Sequence, residues 1–286
     1  MIKLGIIGAE NSHSFHIGAL CNTKKKVSMR VTHIWGETME FAKVAASKGA
    51  IPQIVRNWEE MEGQVDGIMI DHRDGGLHEP AARYFIERGI PTFIDKPITT
   101  DLAQAGELFD LAEKRGTPVC TFGVIPQQKQ FRAFARKMEG AGEILALNMS
   151  GPVDMDSPYG GIFFYGIHQV ESIVELMGTQ AIAAQLTRNG RNGVGTIFFP
   201  DDRMATLNCL SENGIFHWRA CTEKGVYSLL HKSDDDPYLH AARIIHRFIR
   251  DGDVPWTRAR MLAPIAILQA LQKSEKSDRI EAVEKI

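Results

Sequence analysis

The feature that most constrains this chain is a regular alternation, through its first 120 residues, of short apolar runs with longer amphipathic ones. That is the pattern of a parallel sheet with crossover helices. The predicted strands are residues 2–7, 29–35, 67–70, 92–94 and 118–122. Residues 80–88 place Ala81, Ala82, Phe85 and Ile86 on one helical face and stop at Gly89. Residues 101–115 do the same with Leu102, Ala105, Leu108, Leu111 and Ala112; Thr99, Thr100 or Asp101 caps the start, and Gly116-Thr117-Pro118 ends the helix. The loops Gly89-Ile90-Pro91 and Gly116-Thr117-Pro118 have the length that α/β units use.

Near residue 123 the pattern changes. A helix over about 127–138 leads through a glycine-containing turn to a strand at 143–150. A second helix, 166–177, buries Ile167, Val170, Ile173, Val174 and Met177. Strand-like runs then follow without intervening helices, at 181–187, 194–199, 204–209, 215–220 and 226–230. The turns Asn189-Gly190, Asp201-Asp202 and Asn213-Gly214 separate them, as in antiparallel hairpins. Helices at 238–250 and 257–272 close the chain. The predicted class is α/β: a doubly wound parallel sheet over residues 1–122, then an α+β domain over 123–286 with an open, mostly antiparallel sheet.

Composition narrows the partners. The chain has 286 residues, 44% of them hydrophobic and 24% charged, enough for two domains of a soluble globular protein. Its net charge of −2 gives no general attraction to nucleic acid or anionic membranes. Lys24-Lys25-Lys26 reads as a solvated loop. No apolar stretch approaches the roughly 20 residues that span a bilayer, and the N-terminus runs directly into a strand rather than a signal peptide. Cys21, Cys120, Cys209 and Cys221 form no CxxC pair, so neither a zinc site nor a disulfide framework is predicted. Free thiols in a cytoplasmic protein are expected.

Three segments carry the chemistry. The first is Leu4-Gly5-Ile6-Ile7-Gly8-Ala9-Glu10-Asn11-Ser12-His13, a strand, a glycine turn and a helix start, with Ser12 placed to cap the helix. Free backbone N–H groups there favour a pyrophosphate; an ordinary strand-to-helix turn would read the same way. The second is Phe93-Ile94-Asp95-Lys96-Pro97, a lysine at the end of a parallel strand, where α/β domains bind ligands. The third is Gly160-Gly161-Ile162-Phe163-Phe164-Tyr165-Gly166-Ile167-His168, with a histidine just inside an apolar helix. Histidine titrates near neutrality and suits acid–base work, although a lone histidine on an apolar helix is more often structural. In the turn Ile70-Asp71-His72-Arg73-Asp74-Gly75-Gly76-Leu77-His78, His72 or Arg73 is placed to contact a phosphate or an acidic substrate. Asp71, His72, His78 and Asp95 are metal ligands by type, but their spacing matches no recognised site, so no metal is expected.

In this order the segments resemble the Gfo/Idh/MocA family of nicotinamide-dependent oxidoreductases. The resemblance covers most of the chain and implies a Rossmann-type first domain. It places a dinucleotide at Gly8, Ala9, Glu10, Asn11, Ser12 and His13, with His72, Asp95 and Lys96 nearby. Ala9 and Glu10 stand where the family usually has a further glycine. Glu37, beside Gly36 after the second strand, becomes the acceptor for the adenosine ribose, which favours NAD over NADP without excluding NADP. Asp95-Lys96-Pro97 stands for the family's Glu-Lys-Pro, and His78 for a histidine that precedes the next helix. In the pattern D-x-G-x-H-x-x-D, Gly166 and His168 match, whereas Phe164 replaces the first acid and Glu171 the last. Lys96 and His168 are thereby the expected catalytic pair, Lys96, Tyr165 and His168 the substrate contacts, and a cleft between domains the expected binding place. Tyr165, Asp154 or Asp156 would replace the missing acid. The implied activity is hydride transfer to or from a small polyol, sugar or related hydroxy compound, in a homodimer or homotetramer. The alternatives are a regulatory protein that kept the fold and lost turnover, or another use of bound NAD such as a lyase or glycosidase reaction.

Overall fold

Residues 1–212 and 214–286 are described by the computed structural model; the Asn213 half of the predicted Asn213-Gly214 turn lies outside them. The first unit opens with β1 (Ile2–Ile7), α1 (Ser12–Gly18), a π-helical turn at Ala19–Thr23, β2 (Met29–Trp35), α2 (Met39–Gly49) and β3 (Gln53–Ile54). It continues through β4 (Gly67–Ile70), α3 (Glu79–Glu87), β5 (Thr92–Ile94), α4 (Leu102–Arg115) and β6 (Val119–Thr121). The six strands pair in parallel in the order β3-β2-β1-β4-β5-β6. This is the doubly wound order, whose reversal beside β1 places a ligand crevice at the C-terminal strand ends. Residues 67–70 of β4 are all buried, as a strand covered on both faces requires. Helix α1 crosses α2 where Gly18 meets Gly49; a Cβ on Gly18 would sit 2.9 Å from the Gly49 Cα. Such closeness is available only between small residues.

The second unit begins with α5 (Lys129–Glu139), β7 (Ile144–Pro152), α6 (Ile162–Met177), β8 (Ala183–Asn189), β9 (Asn192–Phe198), β10 (Met204–Leu210), β11 (His217–Thr222) and β12 (Gly225–Leu230). After α7 (Leu239–Asp251), it ends in α8 (Arg258–Ser277) and β13 (Glu281–Ala282). Its seven strands run in the order β12-β11-β7-β10-β9-β8-β13. Every pairing is antiparallel except β7 with β10. Alternation is clean: Leu147, Leu207 and Trp218 are buried on the inner face, while Asn148, Thr206 and Arg219 lie between or outside. Helix α6 starts at Ile162, four residues before the predicted start, because Gly160 and Gly161 both take positive φ and stop the preceding chain there. At Gly161 a Cβ would lie 2.9 Å from the Met155 carbonyl oxygen, so a side chain is excluded.

The two compact units are not simply halves of the chain. Residues 236–257, including α7, belong with the first unit, not with the second domain where the sequence placed them. Ala241, Ala242, Ile245, Phe248 and Ile249 are buried, and the Ile249 side chain presses on Gly67 so closely that a Cβ there would sit 2.7 Å from it. An amphipathic helix shows which face it buries but not what it buries that face against. Among the described residues no helix is long and apolar enough to cross a membrane.

Candidate functional site

The turn after β1 is built on Gly8. Its φ is +109°, and a Cβ would come within 2.4 Å of the Asp71 carbonyl carbon and the His72 nitrogen, so the backbone passes directly against the end of β4. Beyond it, the Ala9 and Glu10 amides both donate to Glu37 Oε2, at 2.9 and 3.0 Å. The other oxygen, Oε1, is buried and has no hydrogen-bond partner. Glu37 is thus clamped to the glycine turn with acceptor capacity to spare. The Glu10 carboxylate lies 3.6 Å from Arg73 Nη1. Ser12 does not cap the helix: Asn11 is the N-cap residue and makes no side-chain cap bond. Its amide turns instead to the carboxylates at the ends of β4 and β5, donating to Asp71 Oδ1 at 2.9 Å and Asp95 Oδ2 at 3.2 Å.

Lys96 follows β5, nearly buried, with Nζ 3.8 Å from Asp95 Oδ2. His13 lies across the same oxygen at 3.0 Å. Burial pulls the Asp95 carboxyl upward, but the charges of His13 and Lys96 beside it prevail and hold it well below the usual range. Asp71 goes the other way, raised by burial first and by the neighbouring Asp95 second. His72 is buried against Trp35 and His78, and its pKa is pushed down to about 3 by burial first and by His78 second. It is therefore neutral at physiological pH and poorly suited to holding a phosphate by charge, a role its sequence position left open. His78 is structural. Its Nδ1 faces the Pro97 carbonyl at 2.9 Å and its Nε2 the His72 carbonyl at 3.0 Å, pinning the two loops that carry His72 and Lys96. Tyr238, which no sequence motif singles out, stacks on His16 and packs near His13, with ring centroids 4.7 and 5.0 Å apart.

In the second unit His168 lies on α6, 5% exposed, between Tyr165 at 5.6 Å and Phe216 at 5.8 Å. A Cβ on Gly123 would stand 3.3 Å from His168 Nδ1 and 2.1 Å from Glu171 Oε2, so only glycine lets the chain pass these groups. Glu171 Oε1 accepts from the Gly123 amide at 2.8 Å, a positioning contact that no local motif announces. Phe164 packs against Tyr159 and Tyr165. Of the residues expected to replace the missing acid, Tyr165 meets His168, whereas Asp156 pairs with Arg188 and Asp154 accepts from the Asp156 amide.

Residues 2–122 match the model of an oxidoreductase family with an NAD-binding Rossmann fold. No curated protein matches the chain in sequence. Solved structures match nearly all of it. GenD2 from gentamicin A biosynthesis, in complex with NAD, superposes with a TM-score of 0.85 at 15% identity, covering 99% of this chain and 97% of that one. The scyllo-inositol dehydrogenase of Lactobacillus casei, with bound NAD(H) and scyllo-inositol, gives 0.83 at 14% identity, covering 99% of each. At these identities the likeness is one of fold.

Proposed function

We propose, from the premise that residues 2–122 belong to the Gfo/Idh/MocA oxidoreductases through their NAD-binding Rossmann fold, that this protein is an NAD-dependent dehydrogenase or reductase. Its substrate would be a small polyol, sugar or related hydroxy compound. The observation that carries the reading is Glu37, fastened to the Gly8 turn by two amides with Oε1 buried and unpaired. A ribose hydroxyl bonded to this carboxylate, with the side chain turned to expose Oε1, would supply the missing partner, and a 2′-phosphate beside it would be repelled. Gly8, where any Cβ would strike the end of β4, lets this turn pass close against that strand end.

When bound, the nicotinamide ring supplies the carbon that gives or takes hydride. Lys96 is assigned to the substrate oxygen, where its ammonium stabilises the alkoxide that develops as the C–H bond breaks. Asp95 orients that ammonium. His168 is assigned to the hydroxyl proton, and with Phe164 in the acidic position of the family pattern the proton would pass onward by Tyr165 or water. That the L. casei neighbour was solved with scyllo-inositol makes cyclic polyols the first substrates to try.

Calorimetry with NAD and NADP is the primary test: NAD should bind more tightly, and Glu37→Gln should narrow the difference. Tighter binding of NADP would remove the role given to Glu37. Lys96→Ala should cut turnover far more than cofactor affinity, and His168→Ala should lose roughly 10²–10⁴-fold in rate. NAD binding without turnover on any polyol or sugar would favour the regulatory reading, which Phe164 in place of the family's acid supports.

A further inference from the structure

We propose that His13, Asp71 and Asp95 form a binding site for a divalent transition-metal ion of the manganese-to-zinc class, with the side-chain amide of Asn11 as a fourth ligand. These residues come from the helix start after β1 and the ends of β4 and β5, and they converge only because those strands are neighbours in the sheet. One ligand atom from each of His13, Asp71 and Asp95 lies within 4.8 Å of the others, and all three residues are buried. His13 Nδ1 stands 3.0 Å from Asp95 Oδ2 and 3.7 Å from Asp71 Oδ1. Ligands about 2.0–2.2 Å from a shared ion are separated by comparable distances, so only small rotations of the carboxylates are needed.

The second observation is how these atoms face one another. His13 Nδ1 is buried and close to two carboxylates, yet it makes no hydrogen bond. Asp71 is fully buried and its Oδ2 likewise has no hydrogen-bond partner. Two adjacent carboxyls enclosed in the fold face Lys96, 3.8 Å from Asp95, and the His13 ring; a divalent cation held between them would balance their charge. The Asn11 amide now presents Nδ2 to both carboxylates, and an amide turned by 180° presents Oδ1 with no other change in shape. One imidazole nitrogen with two or three oxygens suits manganese, iron, cobalt or zinc. Calcium asks for six to eight oxygens.

The test is binding of the metal alone to the full chain. After removal of metal with a chelator, Mn²⁺ or Zn²⁺ titrated by calorimetry should bind at one ion per chain, and bound Mn²⁺ should lose its free-ion electron paramagnetic resonance signal. Asp71→Asn and His13→Gln should each weaken binding at least about 10–100-fold, on the scale seen when a metal site loses a supporting group. If either variant fails to fold, the wild-type protein still decides through a cobalt absorption spectrum, which should report a nitrogen–oxygen ligand set. No stoichiometric binding at millimolar metal would overturn the proposal. So would binding undiminished in the variants, because the ion would then sit elsewhere. NAD binding is measured separately on each variant, because Asn11, His13 and Asp95 are also placed beside the dinucleotide; metal binding in the absence of NAD decides this proposal whatever the cofactor result.

Discussion

Two glycines with positive φ separate steric exclusion from backbone strain. Gly8 has φ of +109° and abuts the backbone of Asp71 and His72, whereas Gly63, with φ of +71°, has open space for 4 Å around the place a Cβ would take. Gly63→Ala should cost only the left-handed penalty, about 1–2 kcal/mol. Gly8→Ala must also displace two backbone segments, and a loss of about 4 kcal/mol or more is expected. Urea denaturation of the two variants checks this, and equal losses would mean that the end of β4 yields easily. At this scale the sequence was informative about single positions. The tight turn at Gly8 was readable because a turn after a strand is local. The meeting of Asn11, His13, Asp71 and Asp95 was not, because residues as much as 84 apart touch only once β1, β4 and β5 have paired.

Among the elements, α7 shows which forces hold a late segment to an early sheet. Phe248 is wholly buried, and Ile249 fills the space above Gly67. Ahead of the helix, Asp236 pairs with Lys24 and Lys26, both lysines being about half exposed. Phe248→Ala should cost about 3–5 kcal/mol, but Asp236→Ala no more than about 1 kcal/mol, since exposed pairs are screened. The hydrogen bonds from Lys24 and Lys26 hold the Asp236 carboxyl below its ordinary value. A depressed folded-state pKa means that its small contribution is present at neutral pH and is lost as pH falls through the acid range. Thermal melts at pH 7 and pH 3, with and without Asp236→Ala, should therefore show a smaller deficit for the variant at the lower pH. The amphipathic pattern of α7 was legible, but its partner was not. A stripe of buried residues fits any apolar surface, and sequence order favoured the sheet just before it over the one formed near the start of the chain.

For the whole chain, alternation of element types was the readable signal. The strands 2–7, 29–35, 67–70 and 92–94 fall where the apolar runs lie. The two-residue strands β3 and β13 were missed because so short a run has no period. The parallel pairing of β7 with β10 inside an otherwise antiparallel sheet also escaped, since alternation does not encode strand direction. That sheet bears on assembly. Its registers place Val226, Cys221, Ala146, Met204 and Phe198 in one row across five strands, on the face opposite the core. Val226, Leu230, Met204 and Val194 are 57%, 63%, 38% and 44% exposed. A broad β face with large aliphatic side chains at regular positions is suited to another β face, and a second copy of the chain can present the same surface in a two-fold arrangement. We therefore expect a homodimer or homotetramer joined through this face. Light scattering during size exclusion should give a mass at least twice that of the chain, and Val226→Lys combined with Leu230→Lys should lower it while leaving the circular dichroism spectrum unchanged. A wild-type monomer at tens of micromolar would refute this assembly, and an oligomer unaffected by both lysines would place the interface elsewhere.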